Sequence, residues 1–262
     1  MPARVITITS GKGGVGKTTT TANLSAALAT LGKRVVCIDA DIGLRNLDLV
    51  MGVENRIVYD LVDVVEKRAK LRQAMIKHKH YPDLYLIPAA QTRDKTAVSP
   101  AQMIELTNEL RPDFDFIMVD SPAGIERGFR NAVAGADEVL VVTNPEVSAV
   151  RDADRIVGLI EAMERKIPMR LIINRVKPDM VRKGEMLSTE DVVDILSIKP
   201  IGIVPDDEGI LIGSNRGELL LGRAGEAYKN IARRLNGEDV PFMALENKDG
   251  FLSRLARLFG GG

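Results

Sequence analysis

The chain has 262 residues, 45% of them hydrophobic and 27% charged, and 36 basic side chains balance 36 acidic ones to a formal net charge of zero. This composition excludes a disordered or collagen-like chain and provides no overall basic surface for nucleic acid. The single cysteine, Cys37, excludes an internal disulfide framework and any cluster that needs several thiolates from one chain, and it favours a cytosolic protein.

Short β-branched runs alternate with amphipathic segments along the chain. No signal peptide precedes the first run, and no apolar run is long enough to span a bilayer, so a soluble chain is expected. The predicted strands are Val5–Thr9, Val35–Ile38, Leu84–Ile87, Phe116–Val119, Val139–Thr143, Leu171–Ile173 and Ile201–Val204. The predicted helices are Thr18–Leu31, Ala101–Leu110, Ala149–Glu164, Glu190–Leu196 and Arg223–Leu235. This alternation predicts an α/β fold with a doubly wound, mostly parallel β-sheet flanked by helices.

A glycine-rich loop follows the first predicted strand and matches the complete phosphate-binding pattern G-x-x-x-x-G-K-[ST]. Its residues are Gly11, Lys12, Gly13, Gly14, Val15, Gly16, Lys17 and Thr18. The glycines allow backbone N–H groups to surround phosphate oxygens, and the next helix adds the positive end of its dipole. We expect Lys17 to contact the β and γ phosphates of a nucleotide and Thr18 to ligate Mg²⁺. The alternative is a turn that only connects the strand to the helix.

Acidic side chains follow two of the predicted strands. Asp39 and Asp41 come just after the second strand, and Asp120 ends the fourth. Because the carboxyl ends of parallel strands meet at one edge of the sheet, these carboxylates are expected beside the phosphate loop. Asp120 would bind the hydrated Mg²⁺ that bridges the β and γ oxygens. Loop-capping aspartates and a solvated strand end are the alternative interpretations.

The loop holds a second lysine, Lys12, which an ordinary phosphate loop does not need. The run Lys12–Thr19 resembles the deviant Walker A motif of the ParA/MinD family of P-loop ATPases. Three further runs extend the resemblance over nearly the whole chain: Gly43–Asp48, Asp120–Gly124 and Thr143–Glu146.

The resemblance assigns roles to the loop and its acidic neighbours. It implies ATP and Mg²⁺ as cofactors, with Lys12 reaching the phosphates bound by a partner copy, so that ATP binding and homodimerisation become one event. It also implies that Asp41 holds the attacking water and that Asp39 acts on the metal through water. Without the resemblance, Lys12 could equally be a solvated loop charge.

The same resemblance implies nucleotide contacts after two later strands and a docking surface on a helix. Asn174 and Arg175 match the family's adenine contacts, and the pair Pro205-Asp206 matches the residues that close over the base. Asp152 and Asp154 match its partner-docking helix. Turn chemistry and an ordinary solvated helix face are the alternatives.

The C-terminal part of the chain has a pattern of its own. Residues 1–235 are predicted to form the ATPase domain, 236–250 a flexible polar linker and 251–262 an amphipathic membrane-targeting segment. In a helix, one face would carry the large apolar side chains Phe251, Leu252, Leu255, Leu258 and Phe259. Arg254 and Arg257 lie on the opposite face, where they would meet anionic membrane lipids. Docking of this helix on the domain's own core is the alternative.

The resemblance as a whole implies a slow, partner-stimulated ATPase that dimerises with ATP and then binds the membrane. Such a protein is cytoplasmic and reversibly peripheral on the inner face of the cell membrane. It recruits the division inhibitor MinC to position the septum, and MinE or another topological regulator releases it. No specific nucleic acid is expected as a partner.

Three other functions compete with this interpretation. They are a DNA-partition ATPase, an iron–sulfur carrier, which would need paired cysteines, and a small-molecule kinase or ligase on the same loop. His78 and His80 could indicate a metal site, but the adjacent lysines favour a solvated helix end.

Overall fold

A computed structural model describes residues 2–93 and 97–243. The strands in this part of the chain are Arg4–Thr9 (β1), Val35–Asp39 (β2), Ile76–Lys77 (β3), Leu84–Ile87 (β4), Phe116–Asp120 (β5), Glu138–Thr143 (β6), Met169–Val176 (β7) and Pro200–Pro205 (β8). They form one eight-stranded sheet in the order β3-β4-β2-β5-β1-β6-β7-β8. Every pair is parallel except β3 with β4. All seven predicted strands and the mostly parallel sheet are confirmed.

Helices connect these strands. Those in the described residues are Lys17–Thr30 (α1), Leu47–Val50 (α2), Leu61–Val65 (α3), Leu71–Ala74 (α4), Pro100–Leu110 (α5), Arg127–Val133 (α6), Val147–Glu161 (α7), Pro178–Arg182 (α8), Thr189–Leu196 (α9), Glu208–Arg216 (α10) and Gly222–Leu235 (α11). The five predicted helices are confirmed as α1, α5, α7, α9 and α11. None of the helices in 2–93 and 97–243 has the length and apolarity needed to cross a bilayer.

The sheet is buried on both faces, which explains why its strands are almost continuously apolar. Along β1, Ile6 and Ile8 pack in the cluster that contains α1 and α11 side chains, whereas Val5 packs on the opposite side with α3 and α5. A third cluster joins β6 and β7 to α6, α7 and α9. This layering brings the carboxyl ends of the parallel strands, with the loops that follow them, to one edge of the sheet.

The two histidines lie beside the antiparallel edge of the sheet. The prediction of a solvated helix end is wrong for His78, which follows β3 and is 3% exposed. Its Nδ1 accepts hydrogen bonds from the backbone N–H groups of His80 and Tyr81, and burial lowers the pKa of His78 to about 4. A two-residue strand leaves no periodic signal, so this turn could not be recognised from the lysine-rich sequence.

The residues after α11 remain in contact with the domain. Residues 236–243 fall in the predicted linker, yet Val240 is buried and Met243 packs against the core cluster of α1 and α11. The rest of that linker and the predicted membrane-targeting segment, residues 244–262, lie outside the described residues.

Candidate active site

The phosphate loop connects β1 to α1 at the carboxyl edge of the sheet. Gly14 and Gly16 have φ values of +80° and +98°, a region that side chains other than glycine rarely adopt. Asn174 in β7 donates from Nδ2 to the Val15 carbonyl at 2.8 Å, and both residues are buried. A Cβ at Gly16 would overlap this Asn174 amide. The loop is therefore held from behind by a side chain that lies 159 positions away in the sequence.

The start of the loop packs on α7. A Cβ at Gly11 would overlap the backbone carbonyl of Asp152, so only glycine allows this approach. Close by, the exposed Lys12 places its Nζ 3.2 Å from the Ser148 hydroxyl. Asp152 itself is half-buried beside the loop, whereas Asp154 is exposed. The structure thus brings one of the two predicted docking residues directly to the phosphate loop.

Lys17 lies at the N-terminus of α1 and is 7% exposed. Burial lowers the pKa of Lys17, and the charges of Asp120 and Asp41 partly oppose that shift. Asp120, at the end of β5, is also buried and accepts a hydrogen bond from Thr21 Oγ1 at 3.0 Å. Burial raises the pKa of Asp120 to about 6, although hydrogen bonds from Thr18 and Thr21 and the nearby Lys17 charge act to lower it.

Asp39 ends β2 and pairs in register with Asp120 on β5. Its carboxylate is fully buried and accepts from the backbone N–H groups of Asp41 at 3.0 Å and Leu47 at 3.3 Å. Burial and the charge of Asp120 hold the pKa of Asp39 well above its usual range. A cation that lies between these two buried carboxylates on one side and the phosphates of a ligand on the other would stabilise the negative charges of both.

The oxygen donors at this edge fit hydrated Mg²⁺. Thr18 supplies a hydroxyl, and Asp39 and Asp120 supply carboxylates. In residues 2–93 and 97–243, no group of three or more His, Cys, Asp or Glu side chains could cage a metal ion by itself. Mg²⁺ typically binds through one or two carboxylates, substrate phosphates and retained waters, so a complete protein cage is not required.

Asp41 lies beside the segment that follows β5. With Pro122 and Ala123 it lines a cavity of about 20 Å³, which exceeds the space that a single water requires. In the same segment, the Gly124 N–H donates to the Ser10 carbonyl at 3.4 Å. The segment after β5 therefore shares a cavity with Asp41 and contacts Ser10, the residue that precedes the phosphate loop.

The residues predicted to hold the base lie near the ends of β7 and β8. Pro205 is buried, whereas Arg175 and Asp206 are exposed and border one cavity of about 750 Å³. Lys177 forms an ion pair with Asp206 at 3.4 Å. The structure thus separates Asn174, which contacts the phosphate loop, from Arg175, which faces the cavity.

Comparisons with known proteins agree with this geometry. A family model described as an AAA domain matches residues 3–173. The septum site-determining protein MinD of Bacillus subtilis is 55% identical over 261 residues, covering 97% of each chain. The chain belongs to the MinD family.

Solved structures of MinD proteins share the fold over most of their length. The chain in the MinC:MinD complex of Aquifex aeolicus is 49% identical with a TM-score of 0.86, covering 92% of this chain and 99% of that one. MinD of Pyrococcus horikoshii, solved with Mg-ADP, is 29% identical with a TM-score of 0.81, covering 89% and 96%. Because the chain belongs to the MinD family, the predicted P-loop ATPase fold and the predicted resemblance to the ParA/MinD family are both confirmed.

Two polar side chains of this MinD-family site cannot be predicted from sequence motifs. Thr21 belongs to no motif, although its position one helical turn after Lys17 places it on the same face of α1. Ser148 carries no motif, and only the packing of α7 against the loop brings its hydroxyl to Lys12.

Proposed function

We propose that this chain is an ATP-dependent dimerising membrane switch, which hydrolyses ATP and positions the division septum by recruiting MinC to the membrane. The observation that carries the proposal is the difference in burial and contacts between the two loop lysines. Lys17 is buried among carboxylates, whereas Lys12 is exposed and its contact, the Ser148 hydroxyl, is neutral. A neutral partner does not cancel the ammonium charge, which stays available to an anion on a second copy.

In the proposed dimer, each Lys12 contacts the phosphates bound by the partner copy. A cation supplied in trans offsets the repulsion between two triphosphates that face each other across the interface. Dimerisation then depends on ATP, because this contact is strongest with the full triphosphate charge.

Hydrolysis in this proposal uses groups that the fold already places together. The loop N–H groups, Lys17 and Thr18 bind the triphosphate, and Thr21 holds Asp120 in position. Thr18 and Asp120 would hold Mg²⁺, with Asp39 acting through water, and the ion would supply positive charge to the bound triphosphate. Asp41 orients the attacking water in the cavity that it shares with Pro122. Because Lys12 joins only in the dimer, hydrolysis is slow in the monomer.

Partner control follows from the contact between the phosphate loop and α7. MinC and a release factor, MinE or another topological regulator, would dock on the helix that carries Asp152 and Asp154. Asp152 contacts Gly11 through its backbone, so a partner on α7 acts one residue away from Lys12. The MinC:MinD complex of the Aquifex relative supports MinC as a partner.

Base recognition is proposed at the ends of β7 and β8. Arg175, Pro205 and Asp206 would surround adenine at the entrance of the cavity that Arg175 and Asp206 border. Asn174 would act at this site mainly through the phosphate loop, because its amide nitrogen already donates to Val15.

Membrane attachment is proposed for residues 251–262. Full burial of a large apolar side chain contributes about 1.5–3 kcal/mol, whereas ordering each residue costs about 1–2 kcal/mol. One such short helix therefore binds a bilayer marginally. Two helices on one dimer raise avidity about 10²–10⁴-fold, which couples attachment to ATP.

Sedimentation with vesicles that contain anionic lipids tests the proposal. We expect the full chain to bind with ATP, to stay in solution with ADP, and to lose binding when residues 251–262 are deleted. Equal binding with ADP and ATP would contradict the switch. Salt-dependent retention on duplex DNA, without vesicle binding, would favour a DNA-partition ATPase instead.

A further inference from the structure

Arg234 binds residues 240–242 to the domain. Arg234, in the last turn of α11, donates from Nε to the Val240 carbonyl at 2.8 Å and from Nη2 to the Pro241 carbonyl at 2.7 Å. Its Nη1 donates to the Ile201 carbonyl in β8 at 2.9 Å. The Phe242 ring covers the guanidinium, with its centroid 4.3 Å from Cζ. One side chain therefore joins the chain after α11 to an edge strand of the sheet.

The segment held in this way is polar at its start and packed at its end. Gly237 and Glu238 donate backbone hydrogen bonds to the carbonyls of Arg234 and Arg233, which turns the chain back along α11. Val240, which follows this turn, is buried with only 9% of its surface exposed, and Met243 packs on the core. Residues 236–243, the first part of the predicted flexible polar linker 236–250, thus follow a defined path on the domain surface.

The base of this path is itself fixed. Arg4 in β1 donates to the Leu235 carbonyl at 2.6 Å and pairs with Glu138 in β6 at the same distance. The last turn of α11 is thereby tied to the centre of the sheet. Arg234 thus fixes residues 240–242 relative to the sheet.

We propose that Arg234 is a positioning residue that fixes the point at which the chain leaves the domain toward the membrane-targeting segment. The inference rests on the proposed membrane switch. Loss of the Arg234 hydrogen bonds would free residues 240–242 and so lengthen the tether, the part of the chain that can move between α11 and Phe251.

Tether length controls how effectively a dimer inserts its second helix. Effective concentration falls roughly as the −3/2 power of linker length, so the release of residues 240–242 would lower it. Arg234 thereby strengthens membrane binding by the dimer, although it contacts neither nucleotide nor lipid.

The first test measures the tether directly and needs no membrane. Cys37 is fully buried and burial raises its pKa to about 12, so spin labels can be placed selectively on Glu164→Cys and Asp249→Cys in the full chain. We expect Arg234→Met to broaden and lengthen the distance distribution measured by pulsed electron resonance. Arg234→Lys should do the same, because one ammonium cannot reproduce the three-carbonyl fork.

Lys229→Met is the matched control. Lys229 lies on the same helix, and its ion pair among the described residues is with Glu226 on that helix at 3.5 Å. The variant therefore removes an equal charge and is expected to leave residues 240–242 in place. Phe242→Ala removes the ring that covers the Arg234 guanidinium but keeps its three hydrogen bonds, so it should broaden the distribution less than Arg234→Met. A narrow distribution that persists in Arg234→Met would overturn the proposal.

The second test measures vesicle binding of the same variants with ATP. Arg234→Met should weaken binding, and insertion of eight Gly/Ser residues before Gly250 in the native chain should weaken it as well. A native chain that does not bind vesicles would contradict the proposed function. The distance measurement would still show whether Arg234 holds residues 240–242 against the domain. Undiminished binding in Arg234→Met, together with a loss on insertion, would overturn the positioning role.

Discussion

Asn174 gives a sharp test of how the phosphate loop is held. Its buried amide donates to the Val15 carbonyl at 2.8 Å, and Asn174→Ala would leave that carbonyl without this partner. Such a loss costs about 1–3 kcal/mol. Because bound nucleotide would then have to order the loop itself, we expect Mg-ATP and Mg-ADP to bind about 5- to 150-fold more weakly.

Asn131 provides a matched control. It lies on α6, is also buried, and donates from Nδ2 to the Val98 carbonyl at 2.6 Å, so Asn131→Ala removes the same kind of bond away from the loop. Urea unfolding should show that both variants lower the free energy of unfolding by about 1–3 kcal/mol. Titration calorimetry should show weaker nucleotide binding only for Asn174→Ala.

Tripolyphosphate separates loop anchoring from base recognition. If Asn174 acts on the loop, its replacement weakens tripolyphosphate and ATP by the same factor, because the two ligands share the phosphates. A direct adenine contact would weaken ATP alone. The loop-anchor reasoning is refuted if tripolyphosphate binds Asn174→Ala as it binds the native chain, or if ATP affinity does not change.

Three further predictions concern charged groups of the site. Lys12→Ala should keep nucleotide binding but lose ATP-dependent dimers in light scattering, since no cation then bridges the two copies; dimers at native levels would contradict the role in trans. Asp41→Ala should slow phosphate release and prolong the vesicle-bound state, and native turnover would show that Asp41 does not orient the water. Burial raises the pKa of Asp120 to about 6, so the folded, nucleotide-free chain holds this proton more tightly than the unfolded chain, whose aspartates titrate near 4. The resulting stability, on the order of 3 kcal/mol, is present below about pH 4 and is lost as the pH rises through about 6. Urea unfolding of Asp120→Asn should lack this slope, and identical slopes in the two proteins would count against it.

The sheet could be predicted from the sequence because its strands are buried on both faces. Runs such as Phe116–Asp120 are continuously apolar up to the terminal carboxylate, and that change of character marks both a strand and a site. The short helices were missed for the opposite reason. A four-residue helix such as Leu47–Val50 is barely one turn and has no measurable periodicity.

The candidate site divides in the same way. The phosphate loop is a local pattern, and its sequence alone predicts the roles of Lys17 and Thr18. The anchoring of Val15 by Asn174 and the contact of Gly11 with Asp152 join residues more than 100 positions apart. Such contacts depend on how the strands and helices are arranged in space, which local sequence does not encode.

The contact between Gly11 and Asp152 has a mechanical consequence. Since the two backbones touch without room for a methyl group, the loop cannot shift toward α7 unless this helix moves as well. Val147–Glu161 has 15 residues and is about 22 Å long, so a displacement at Asp152 would be carried along the helix to the surface of the molecule.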